Sequence, residues 1–181
     1  MEKHRLEKQN ESFLQEMREK DPHFFEKLQA GQEPEMFVLA CSDSRVSPSV
    51  ITNMPLGKLF IHRNIANQVN ESDESFSASL YYALKHLRVK DVLIIGHTNC
   101  GGVKAAADNN EEAELKTWLT SIHQAIKGAD CEGLCEAGTK QNVLTQMDRL
   151  KAHPIYRKYG NDVPVVGALF HVEDGKFEWL R

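Results

Sequence analysis

The chain has 181 residues, 41% hydrophobic and 27% charged, with a formal net charge of −4. A chain of this length buries roughly 70% of its unfolded surface, enough for one soluble domain with a real core. The mild acidity leaves no basic stripe for nucleic acid, and no apolar run approaches the length of a bilayer crossing.

The amino-terminal run Met1 to Lys8 is charged and lacks the apolar core and cleavage site of a secretory signal. Four cysteines do not make a disulfide framework at this size. Both features suit a cytoplasmic protein in a reducing compartment, with thiols free to ligate metal.

From Glu11 to Leu28, apolar residues recur at helical spacing and are interrupted at Asp21-Pro22, which predicts two amphipathic helices. After Gly31 to Pro34 the run Met36 to Ala40 predicts a buried strand leading into Cys41. Pro48 opens a short helix, Leu59 to His62 is a second strand, and Ser72 to Leu87 reads as one crossover helix into a third strand at Val92. Helical stripes follow behind Gly101-Gly102, from Leu115 to Ile126 and from Val143 to Leu150. Val163 to Val172 then forms a late strand, turned at Glu173 to Lys176 into an antiparallel partner at Phe177 to Leu180. The expected fold is α/β: about four mostly parallel strands plus an antiparallel edge strand, flanked by helices. Residues 1–31 form an N-terminal helical arm and 32–181 the catalytic domain.

Chemistry concentrates in two runs, Cys41-Ser42-Asp43-Ser44-Arg45 and His97-Thr98-Asn99-Cys100-Gly101-Gly102, each directly behind an apolar strand. Parallel strands would deliver Cys41, His97 and Cys100 to the carboxyl edge of the sheet, where open α/β folds keep their ligands. Two sulfurs and one imidazole suit zinc, and three protein ligands leave a position open, as in catalytic sites. A lone cysteine after a strand is ordinarily a small apolar filler; it is the joint pattern that points to a metal. Asp43 and Arg45 can form a bidentate pair beside it, which a purely structural site would not require.

Together with His62-Arg63-Asn64-Ile65-Ala66-Asn67, these runs resemble a β-class carbonic anhydrase, in order and at family-like spacing from about Gln32 to Trp179. The resemblance implies one Zn2+ per subunit on Cys41, His97 and Cys100, with Asp43 and Arg45 as the catalytic dyad. It implies reversible hydration of CO2 to bicarbonate and a proton by zinc hydroxide. Gln32, Phe60 and Tyr82 match substrate-pocket residues of the plant-type branch, and His86 matches a proton-shuttle position. Val38 stands where the bicarbonate-inhibited branch carries tryptophan. Because the family takes these pocket residues from a neighbouring subunit, the resemblance implies a dimer or a larger even oligomer, with the N-terminal helices wrapping the partner.

Two rivals share the scaffold: a COS or CS2 hydrolase, separable by assaying the three substrates side by side, and a non-catalytic zinc-binding sensor, against which the intact dyad argues. Cys131 and Cys135, with His123 upstream, have no fourth ligand spaced to match and are read as structural. His62 is read as a strand residue.

Overall fold

A computed structural model divides the chain into two units, Met1–Gln32 and Glu33–Arg181, and describes residues 3–129 and 136–180. In the first unit, α1 (Lys3–Lys20) is followed by α2 (Phe24–Gln29), and neither contains a buried residue. Lysine–glutamate pairs one turn apart, Lys3 to Glu7 and Lys20 to Glu16, support α1. The Asp21-Pro22 break falls where expected. Phe13, Phe24 and Phe25 meet edge to face, with ring centroids 5.1 to 6.3 Å apart.

The second unit is built on a five-stranded sheet in the order β2-β1-β3-β4-β5. Its strands are β1 (Met36–Cys41), β2 (Leu59–Asn64), β3 (Asp91–His97), β4 (Val165–Phe170) and β5 (Phe177–Leu180). The first four are mutually parallel, and β5 returns antiparallel on β4, as the apolar runs imply. Alternate residues of β1 and β3 enter opposite cores: Phe37, Leu39, Val92 and Ile94 on one face, and Val38, Ala40, Leu93 and Ile95 on the other. Burial on both faces is why these strands read as unbroken apolar runs instead of alternating ones.

Among the described residues, six helices surround the sheet: α3 (Pro48–Ile51), α4 (Glu74–Tyr81), α5 (Gly101–Ala107), α6 (Lys116–Ile126), α7 (Glu136–Ala152) and α8 (Pro154–Tyr159). Asp73 caps α4, its carboxylate accepting from the backbone N–H groups of Ser75 and Phe76 at 3.0 and 3.1 Å. The expected single crossover helix is not uniform. After Tyr81 the chain widens into a π-helical turn, Tyr82–Leu87, closed by Arg88 in the left-handed region at φ 54°. One widened turn barely disturbs the apolar periodicity, so Ala83 and Leu84 still reach the core while Tyr82, Lys85 and His86 stay exposed. The short α8 carries no stripe long enough to be read from sequence. Pro154 opens it behind His153, whose Nδ1 accepts from the Ile155 N–H at 3.2 Å.

Gly96 has a packing reason. A Cβ there would run into the Cγ2 of Val143 on α7, so only glycine lets that helix lie directly on β3. Among the described residues no helix is long and apolar enough to cross a membrane.

Candidate metal centre and active site

The strand order places β1 and β3 side by side, and their outgoing connections diverge, one toward β2 and the other toward β4. Such a divergence opens a crevice beyond the carboxyl ends of the strands. Cys41 ends β1 and His97 ends β3. Asn99, at φ 56°, turns the chain so that Cys100 precedes α5. Cys41, His97 and Cys100 are all buried, and their ligand atoms lie within 4.8 Å of one another. The two sulfurs are 4.0 Å apart.

The imidazole is set for one task. Its Nδ1 lies 2.9 Å from the Thr98 carbonyl, which can only accept, so the ring proton sits on Nδ1 and the Nε2 lone pair faces the sulfurs. Nε2 is fully buried and finds no hydrogen-bond partner among the described residues. A buried nitrogen left without a partner is costly, and a cation bridging it to two sulfurs removes that cost. The donor set therefore fits zinc.

The two thiols are unequal. The nearby Cys100 thiol, with the Ala66 N–H, holds the Cys41 thiol below its ordinary pKa against the opposing effect of burial. The Cys41 sulfur and burial together push Cys100 upward. The Ala66 N–H donates to Cys41 Sγ at 3.3 Å.

Asp43 stands beside this group, its Oδ2 3.8 Å from His97 Nε2. Arg45 grips the carboxylate at both oxygens: Nε and the backbone N–H donate to Oδ1 at 2.9 Å, and Nη2 donates to Oδ2 at 2.7 Å. That clamp holds Asp43 far below the ordinary carboxylate pKa. Arg45 Nη2 also reaches the Asn99 carbonyl at 3.1 Å, tying the β1 loop to the β3 loop.

Arg63, to which sequence reasoning gave no role, ties down the first loop. Its Nε donates to the Cys41 carbonyl at 2.9 Å and its Nη2 to the Asp43 carbonyl at 2.7 Å. The only signal for it was its place within the His62 to Asn67 run. Thr98 was also passed over; its hydroxyl donates to Glu173 at 2.6 Å and accepts from the Val172 N–H, anchoring the β3 loop to the β4–β5 turn.

The other expected residues lie elsewhere. Phe60 pairs with Phe37, four register positions before Cys41, or roughly 13 Å along the strand. Its ring lies 5.8 Å from that of Tyr82, which lies 5.2 Å from that of His86. These three form an aromatic group on the outer edge of the sheet, away from the Cys41 side of the same chain. His86 is exposed. Gln32 ends the first unit. His62 is structural, bonded to Ser79 at 3.2 Å and packed edge-on to Phe76. Cys131 and Cys135 lie outside the described residues, and His123 lies 3.2 Å from the Ala106 carbonyl. Glu136, His171 and Glu178 also converge, but the Lys140 ammonium already sits between the two carboxylates at 2.7 and 2.9 Å.

Residues 36–177 match the carbonic anhydrase family, and the chain is 34% identical to a protein of Arabidopsis thaliana named β carbonic anhydrase 3 over 88% of this chain and 69% of that one. The chain belongs to the carbonic anhydrase family, in its β class. A carbonic anhydrase of Emericella nidulans is also 34% identical, over 95% of this chain and 80% of its own length. The fold is similar to that of a tetrameric β-carbonic anhydrase from Sordaria macrospora, with a TM-score of 0.85 and 30% identity over 98% of this chain and 95% of that one. The plant and the Emericella nidulans relatives thus match this chain equally in identity.

Proposed function

We propose that this β-class carbonic anhydrase catalyses the reversible hydration of CO2 to bicarbonate and a proton, with one Zn2+ per subunit held by Cys41, His97 and Cys100. The observation that carries the reading is the buried, partnerless Nε2 of His97, facing two sulfurs and flanked by a clamped carboxylate. Bound there, zinc supplies a Lewis acid that makes hydroxide available near neutral pH, a behaviour for which carbonic anhydrase is itself the standard case.

The chain's own residues do the rest. His97, its tautomer set by the Thr98 carbonyl, presents a neutral nitrogen donor. Asp43 remains an acceptor at every working pH because Arg45 donates to both of its oxygens. An acceptor-only carboxylate at that position orients a hydroxyl proton, and with it the oxygen lone pair that meets CO2. Arg63 and Arg45 hold the loop backbones so that the carboxylate does not wander.

Substrate contacts from Gln32, Phe60 and Tyr82 belong to a site completed by a second copy of the chain. Supporting this is the position of Phe60 and Tyr82 on the sheet's outer edge, together with the tetrameric assembly of the Sordaria macrospora relative. The same assembly covers the half-buried apolar residues Phe13, Leu14 and Met17 of the first helix. His86, exposed between Tyr81 and Tyr82, is the proposed proton carrier to buffer.

Stopped-flow assays with CO2, COS and CS2 on protein of measured zinc content test the reading. CO2 turnover should dominate at one zinc per chain. Because two thiolates offset the charge of the ion, kcat/KM should rise toward alkaline pH. Zinc-replete protein without CO2 turnover would leave a binding protein instead.

A further inference from the structure

A turn in left-handed geometry lies directly under Cys41. Ala66 and Asn67 adopt φ 58° and 48°, a left-handed geometry that is strained for alanine and tolerated by asparagine. Ile65–Asn67 is nonetheless buried at Ala66 and Asn67, so something must hold it. Its use follows from its position: the Ala66 N–H is a backbone donor to Cys41 Sγ.

The other side of the same residue is gripped by side-chain amides. The Ala66 carbonyl accepts from Gln68 Nε2 at 2.9 Å and from Asn142 Nδ2 at 3.0 Å. Asn142 Oδ1 in turn accepts from Gln68 Nε2 at 2.7 Å and from Gln146 Nε2 at 2.9 Å. Gln146 Oε1 accepts from the Val69 N–H at 2.9 Å. All three amides are fully or almost fully buried, with exposures of 1% or less. Arg149 and Ser121 close the outer end, Arg149 Nη1 reaching Gln68 Oε1 at 3.3 Å and Ser121 Oγ at 3.0 Å.

We propose that Asn142 and Gln68 are positioning residues for the metal ligand Cys41: by holding the Ala66 carbonyl from α7 and from the turn itself, they keep the strained Ala66 N–H aimed at the Cys41 sulfur. The inference rests on Cys41 being a zinc ligand. An amide donor on a metal-bound thiolate stabilises its charge and fixes its direction, and groups in this position change metal affinity by about 10- to 100-fold. Gln146 is the internal contrast, since it belongs to the same network but makes no bond to the Ala66 carbonyl.

The test is zinc affinity by chelator competition on the full-length protein, with thermal unfolding of the same samples after zinc removal. Asn142→Leu and Gln68→Met each remove one donor to the Ala66 carbonyl; Gln146→Met disturbs the network elsewhere. All three should lower the unfolding midpoint. The first two should weaken zinc binding by about 10- to 100-fold, while Gln146→Met should leave it within about threefold of wild type. Equal zinc affinity in all four proteins, or an equal loss in all three variants, overturns the proposal. If Asn142→Leu does not fold, Gln68→Met against Gln146→Met decides by the same criterion. Wild-type protein that holds no zinc defeats the metal reading itself, whereas tight wild-type binding with no selective loss defeats only the positioning role.

Discussion

At the scale of single residues, the site is a set of groups each pinned by a partner that does no chemistry. Asp43 is held by Arg45, His97 by the Thr98 carbonyl and the Cys41 backbone by Arg63. Removing the Arg45 clamp should therefore separate catalysis from metal binding. Arg45→Ala should lower kcat/KM for CO2 by about 10- to 100-fold and leave zinc at one per chain, read by metal analysis of the assayed sample. Equal loss of zinc and rate would make Arg45 a structural support only. The dyad and the three ligands were legible because a few residue types at tight spacing carry the whole signal. Arg63 and Asn142 were not, because each acts on a backbone atom far away in sequence, and Thr98 was not, because it acts on His97 through its backbone carbonyl, which no side-chain pattern marks.

At the scale of elements, the helix that crosses from β2 to β3 and the short α8 meet through histidines. His153 caps α8 with Nδ1, sits 3.4 Å from the Ser77 hydroxyl through Nε2 and packs edge-on to Phe76. Burial lowers its pKa, with Glu71 opposing weakly, and burial likewise lowers that of His62 on the other side of Phe76. A histidine whose folded pKa lies below its unfolded value of about 6.5 is bound to fewer protons when folded. Its contribution to stability is complete above that pH and declines as the pH falls from about 6.5 through the lower folded pKa. The unfolding midpoint should accordingly fall between pH 7 and pH 5. His153→Asn, which keeps an acceptor for the Ile155 N–H but cannot protonate, should flatten part of that fall. Parallel melting curves for the two proteins across that range would assign the acid sensitivity elsewhere. The strands and most helices were readable at this scale because burial on both sheet faces and one-sided helical stripes leave strong patterns. The π-helical turn and α8 escaped because a change of one residue per turn, or a six-residue helix, leaves almost no periodicity to detect.

At the scale of the whole molecule, Cys41, His97 and Cys100 lie at the ends of two strands and the start of a helix, so a metal held by them, as proposed, should act as a staple as well as a reagent. Metal that binds only the folded state at about a thousand times its Kd stabilises by roughly 4 kcal/mol. For a chain of this size that corresponds to a rise of about 8–16 °C in Tm. Chelation should lower Tm by that order and abolish CO2 hydration, and restoring zinc should recover both; an unchanged Tm would place the metal outside the cooperative fold. The same scale governs the substrate pocket. Phe60, Tyr82 and His86 cluster on one sheet edge, while Cys41, His97 and Cys100 gather at the carboxyl ends of β1 and β3, a separation that supports the proposal of a site completed by a second copy.

The amino-acid sequence by itself determined the α/β class, the parallel strands, the three side chains able to hold a metal and the Asp43–Arg45 pair. These are local: an apolar run dictates a buried strand, and a short motif after it can act only where that strand ends. Tertiary structure alone decided that β1 and β3 are neighbours, that His97 turns Nε2 and not Nδ1 toward the sulfurs, and that Asn142, from another helix, braces the Ala66 turn. Those facts depend on which elements pack together and on which buried polar groups find partners, conditions that no stretch of sequence expresses on its own.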